Sequence, residues 1–126
     1  MTSKNHSQAS TRNASNTWWL QRVSAVALLP LIIFFAYFMI KVSEYMDIEI
    51  ISSMFESPFI TIFLSLFLGT GIYHGNIGMK EIVEDYIHCH AMKTGIIMGL
   101  NLISFISAIA CICAILVIHL SNFNFN

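Results

Sequence analysis

Three long apolar runs, separated by short polar stretches, organise the chain. They cover roughly Val23 to Ile40 (VSAVALLPLIIFFAYFMI), Phe59 to Met79 (FITIFLSLFLGTGIYHGNIGM) and Gly95 to His119. Eighteen residues rising 1.5 Å each reach about 27 Å, close to the ~30 Å hydrocarbon thickness of a bilayer, so even the shortest run can span as a helix. Pro30 predicts a kink rather than a stop, because neighbouring helices in lipid re-satisfy the carbonyl it frees. Ser57 and Pro58 form an N-cap and first-turn pair ahead of the second run. The pattern predicts an all-α membrane protein with three transmembrane helices over about 23–40, 59–79 and 95–119, joined by two short loops. Residues 1–17 (MTSKNHSQASTRNASNT) lack acidic residues and apolar periodicity and read as a disordered tail. The membrane anchor then occupies 18–120, and 121–126 is a C-terminal tail.

Composition supports lipid as the solvent. Charged residues make up 10% of the 126 and apolar ones 56%, against about 25% charged in soluble chains. So few charges cannot cover a water-facing surface without large apolar patches. A net charge of −1 removes the electrostatic case for nucleic acid, which needs a clustered basic surface. Cys111 and Cys113 lie in the third run and Cys89 lies between His88 and His90, spacings that suggest no disulfide framework. A zinc site from His88, Cys89 and His90 would need further ligands.

Lys and Arg accumulate on the cytoplasmic side of membrane proteins. Lys4, Arg12 and Arg22 precede the first span, Lys80 and Lys93 lie between the second and third, and only Lys41 falls on the other side. The N-terminus and second loop are therefore expected inside, with Trp18 and Trp19 as inner interfacial anchors. The tail composition also resembles a short organellar transit peptide, although Arg12 is its only arginine.

The generic Leu, Ile, Phe and Met surface is uninformative; the exceptions lie in the second span. Gly69, Thr70, Gly71, Tyr73, His74, Gly75, Asn76 and Gly78 form a dense run of small and polar residues, and polar side chains at membrane depth usually face protein or a cofactor. Gly71 and Gly78 stand at i−3 and i+4 from His74, leaving a groove without side chains beside the imidazole. Such a groove suits a flat macrocycle ligated by that imidazole. It equally suits close helix packing, with Gly71-x-x-x-Gly75 and Gly95-x-x-x-Gly99 as packing motifs and His74 bonded to a neighbour. His119 cannot share an iron with His74. The two lie roughly 36 Å and 8 Å from the inner ends of their spans, while both nitrogens of a bis-imidazole haem sit about 2 Å from one metal. A six-coordinate haem on His74 would take its second ligand from another polypeptide.

Beyond the second span, Glu84, Asp85 and Tyr86 emerge on the inner side, where Arg22 enters the first span. A phenol with ionisable neighbours suits a quinone headgroup: it can donate to a carbonyl oxygen while the neighbours orient or supply protons.

The string His74-Gly-Asn-Ile-Gly78-Met-Lys-Glu-Ile-Val-Glu-Asp85-Tyr86 resembles the H-x-x-x-G-(x)6-D-Y pattern of the small cytochrome b anchor, or D subunit, of succinate dehydrogenase, respiratory complex II. The three-span layout, the inside N-terminus and Arg22-Val-Ser-Ala extend the resemblance over roughly residues 18 to 120. The chain departs from the pattern at Asn76 and Lys80, where aromatic residues are expected. The resemblance implies a haem-binding heteromeric helix bundle in a bacterial inner membrane, or alternatively a mitochondrial one. It implies His74 as one axial ligand of haem b, with the other from the large cytochrome b anchor, the C subunit. Tyr86 would hydrogen-bond ubiquinone with Asp85 in support, Arg22 would contact a haem propionate, and Gly71 and Gly78 would line the haem groove. An iron–sulfur subunit and a flavoprotein would complete the assembly, which serves the tricarboxylic acid cycle and aerobic electron transport. This chain would contribute to the quinone site without oxidising succinate.

Two alternatives remain: the anchor of a fumarate reductase, or a small non-redox packing or transport subunit. Transport is weakened because all seven acidic residues (Glu44, Asp47, Glu49, Glu56, Glu81, Glu84 and Asp85) lie outside the apolar cores of the spans.

Overall fold

The computed structural model describes residues 2–45 and 47–124, with side chains described over 15–45 and 47–121. Among the described residues four helices follow one another: α1 (Thr2–Tyr45), α2 (Ile48–Met54), α3 (Pro58–Tyr86) and α4 (His90–Asn124). Three contain a stretch long and apolar enough to cross a membrane: Ser15–Tyr45, Pro58–Tyr86 and His90–Ser121. The chain is a multi-pass membrane protein, and each helix overruns the apolar run that predicts it.

α1 continues through Pro30 without a break. It also begins at Thr2, so the backbone over 2–17 is helical where composition predicts a disordered tail. That stretch contains neither Gly nor Pro to interrupt a helix growing back from the span. The expected C-terminal tail begins inside α4, which runs on to Asn124; Met1 and residues 125–126 lie outside the described residues. The first connection is not a plain loop. Asp47 caps α2 by accepting from the Glu49 N–H at 3.0 Å, and Glu49 places a carboxylate in the first turn, where the helix dipole favours it. α3 starts at Ser57 and Pro58 as expected, although the Ser57 side chain makes no capping bond; its carbonyl accepts from the N–H groups of Ile60 and Thr61.

α3 is the middle helix. α1 and α4 pack along its two sides and scarcely meet each other, so the spans form an open layer rather than a closed bundle. Packing is concentrated at the end near α2. There Phe38, Phe63, Leu64 and Ile115 are buried, the Phe34 and Phe63 rings stand 4.1 Å apart, and Phe35 stacks on Phe67 at 4.5 Å. At the same end His119 Nδ1 lies 2.7 Å from the carbonyl oxygen of Phe55, tying α4 to the turn before α3. Little else is enclosed: 11%, 11% and 6% of the three apolar windows are buried within the chain, which leaves most of their surface for lipid or another subunit.

Candidate functional site

His74 lies sixteen residues after Pro58, about 24 Å along α3 and far from the aromatic packing. Its Nδ1 is 2.9 Å from the Oγ of Ser24 on α1. The Ser24 hydroxyl donates in turn to the carbonyl oxygen of Gln21 at 2.9 Å, and Ser24 is only 7% exposed, making it one of two buried polar residues among those described. Gly78, one turn along from His74, faces the same strip of α1: a Cβ added there would come 3.9 Å from Gln21 Nε2. Gly71, a turn in the other direction, stands in open space, with nothing within 4 Å of an added Cβ. Nε2 of His74 makes no hydrogen bond among the described residues.

The polar run of the second span is therefore not one constellation. A helix turns about 100° per residue, so His74 and Gly78 face α1 whereas Tyr73 and Asn76 face α4. Asn76 Nδ2 donates to Asn101 Oδ1 at 3.2 Å, in a groove of about 340 Å³ that Tyr73 and Ser104 also line. The buried Oδ1 of Asn76 has no partner there. The glycine spacings do not close helices within this chain: added Cβ atoms at Gly71, Gly75, Gly95 and Gly99 would all meet nothing within 4 Å.

Arg22 is exposed and its guanidinium lies 4.1 Å from the centroid of the Trp18 ring, a cation–π arrangement. It stands two positions before Ser24, which turns it about 200° around α1, away from the face that meets His74. Asp85 and Tyr86 end α3. Asp85 lies three turns beyond His74 on nearly the same face, while Tyr86 is rotated about 120° and is 79% exposed. The end of α3 is fixed by the Ile87 N–H, which donates to the Val83 carbonyl at 3.1 Å, and by Lys93 Nζ, which donates to that of Glu84 at 2.9 Å. No other element of the described chain covers Tyr86. His88 and Cys89 lie in the α3–α4 connection with His90 opening α4, and among the described residues no group of three His, Cys, Asp or Glu is placed to hold a metal ion.

The structure thus brings His74, Gly78 and Asp85 onto one strip of α3 and leaves Gly71, Arg22 and Tyr86 facing outward. Ser24 and Gln21 are not among the residues that the sequence pattern singles out. The available signal is the lone serine inside the first apolar run, three residues after an amide and two after the arginine of the Arg22-Val-Ser-Ala string.

A family model described as the succinate dehydrogenase/fumarate reductase transmembrane subunit matches residues 2–117. Among curated proteins, the succinate dehydrogenase hydrophobic membrane anchor subunit of Rickettsia typhi is 33% identical over 112 residues, 89% of each chain. That of Rickettsia prowazekii is 32% identical over 104 residues, 82% of each. The succinate dehydrogenase membrane anchor subunit of Reclinomonas americana is 32% identical over 82 residues, 62% of this chain and 67% of the other. No solved structure matches the chain. With the matched stretch running through all three spans and the His74, Asp85 and Tyr86 motif, the chain belongs to the succinate dehydrogenase/fumarate reductase transmembrane subunit family.

Proposed function

We propose that this chain is the small cytochrome b anchor of a succinate:ubiquinone oxidoreductase in a bacterial inner membrane, with its N-terminus and α3–α4 turn on the cytoplasmic side. The observation that carries the reading is the setting of His74: an imidazole in a membrane-spanning helix, bonded through Nδ1 to Ser24, with Nε2 unengaged and open space at Gly71 one turn away. A histidine held by one nitrogen and free at the other is the usual form of a metal-ligating histidine. These residues fit haem b, which when bound supplies a one-electron relay. His74 would hold its iron through Nε2, and the exposed guanidinium of Arg22 is free to turn from Trp18 toward a propionate. His119 is tied to Phe55 at the far end of the fold, which supports a second axial ligand from another polypeptide; by the family resemblance that polypeptide would be the companion C subunit.

Ubiquinone takes two electrons and two protons to become ubiquinol. The Tyr86 phenol donates a hydrogen bond to a quinone carbonyl oxygen, and Asp85 beside it positions or supplies a proton. The exposure of both residues leaves room for the iron–sulfur and C subunits to close the pocket. Electrons leave succinate at the flavoprotein and arrive through iron–sulfur centres, so this chain binds and positions without oxidising succinate. The family takes in fumarate reductases as well, and the naming of the relatives favours the succinate direction.

The test is the optical spectrum of the complex purified with its companion anchor. Wild type is expected to show a low-spin b-type haem and His74→Ala to lose it or convert it to high spin. An unchanged spectrum in the variant would overturn the assignment.

A further inference from the structure

We infer that Ser24 is a positioning residue for His74: its hydroxyl selects the imidazole tautomer protonated at Nδ1 and so reserves the Nε2 lone pair for the haem iron. The inference rests on the reading of His74 as a haem ligand and adds how that ligand is prepared. A serine hydroxyl has one proton and two neighbours here, the Gln21 carbonyl oxygen and His74 Nδ1, both at 2.9 Å. The carbonyl can only accept, so the hydroxyl proton belongs to it. The Oγ lone pairs are then satisfied by a donor, which makes Nδ1 the protonated nitrogen. The reverse assignment has the hydroxyl donate to an unprotonated Nδ1 and leaves Oγ facing the Gln21 oxygen as two acceptors without a proton between them. Such a contact is costly where water is scarce, and Ser24 is 7% exposed.

The same bond orients the ring. Ser24 is anchored to its own helix through Gln21, so its Oγ is a fixed point on α1 against which α3 holds the imidazole plane. Hydrogen bonding from the non-ligating nitrogen makes a histidine a more basic ligand, and losing such a partner typically costs about 10–100-fold in metal affinity.

The experiment uses the purified complex carrying Ser24→Ala, Ser24→Cys or Ser24→Thr, with His74→Ala as reference. The readouts are the rate of haem transfer to excess apomyoglobin, the electron paramagnetic resonance g-values and the haem midpoint potential. Ser24→Ala and the near-isosteric Ser24→Cys are expected to lose haem about 10–100-fold faster than wild type, with shifted g-values and a raised potential. Ser24→Thr keeps the hydroxyl and is expected to match wild type. Wild-type values in both Ala and Cys variants, with low-spin haem lost in His74→Ala, would overturn the role of Ser24 and leave His74 as ligand. A perturbation in Ser24→Ala that Ser24→Cys does not share would assign the effect to volume and overturn the role as well. Low-spin haem surviving His74→Ala would remove the ligand reading itself.

Discussion

Gly71→Leu separates the two uses that a glycine beside His74 can have. A Cβ added at this position meets nothing within 4 Å in the chain, so the leucine breaks no contact of the folded anchor. Removing a glycine from a helix interior also gains up to about 1 kcal/mol in helix propensity. The variant is therefore expected to insert and accumulate at least as well as wild type. In the assembled complex the isobutyl group projects into the space one turn from His74. Where a macrocycle fills that space, the overlap costs what overpacking a core costs, about 1–3 kcal/mol, which weakens haem binding about 5- to 150-fold. The assay is haem per complex by pyridine haemochrome, with co-purification of the companion anchor measured on the same sample. Gly95→Leu, on α4 and equally open within the chain, serves as control and is expected to keep full haem. Full haem in Gly71→Leu would refute the groove. So would haem falling only in step with lost companion chain, because Gly71-x-x-x-Gly75 would then be a packing contact between helices of different subunits.

Tyr86→Phe removes a hydroxyl from a side chain that is 79% exposed; succinate–quinone activity is expected to fall about tenfold or more, with transfer from succinate to an artificial acceptor retained, and equal loss of both would indicate failed assembly. Cys89 is exposed in the α3–α4 connection, so a membrane-impermeant maleimide is expected to label it in inside-out vesicles and not in right-side-out ones; the opposite pattern would invert the topology. Phe63→Ala removes the ring that packs 4.1 Å from Phe34 and is expected to cost up to about 3 kcal/mol of stability, the low end for such a truncation, because lipid rather than water surrounds the unpacked helices, and so to lower the thermal midpoint of the complex; Ile33→Ala, at a 72% exposed position, is expected to leave the midpoint unchanged. His119→Ala breaks the 2.7 Å bond to the Phe55 carbonyl, an expected loss of about 1 kcal/mol, with the haem spectrum unaltered; a changed spectrum would mean that the two ends of the fold are not independent.

The spans were legible because crossing a bilayer is a one-dimensional demand: enough consecutive apolar residues at 1.5 Å each. Pairing of their faces was not, because lipid tails are as apolar as leucine and a face turned to a neighbour needs no different composition from one turned to lipid. Hence Phe34, Phe35, Phe38, Phe63 and Phe67 read as generic surface, and the structure assembles them into the packed end. The run from Gly69 to Gly78 read as one site because its residues adjoin in sequence, although the helical turn sends Asn76 to Asn101 on α4 and His74 to Ser24 on α1. Ser24 gave no periodic signal; its meaning depends on a residue fifty positions away.

The division of labour along α3 fits the second anchor that the proposed function calls for. Aromatic packing and the His119 tie hold the α2 end together from within this one chain. At the other end, contact with α1 is made through small and polar groups, Gly78 and Ser24, while Arg22, Asp85 and Tyr86 are exposed. α1 and α4 flank α3 without closing around it, and His119, the other histidine of the apolar runs, is held at Phe55 far from His74. Moving His119 toward the same depth would require sliding α4 by many turns and would unpack the aromatic end. On the proposed reading, a single three-span chain of this design would prepare one side of a haem and one edge of a quinone pocket, and the packing that ties His119 to the α2 end is what keeps that histidine from supplying the other half.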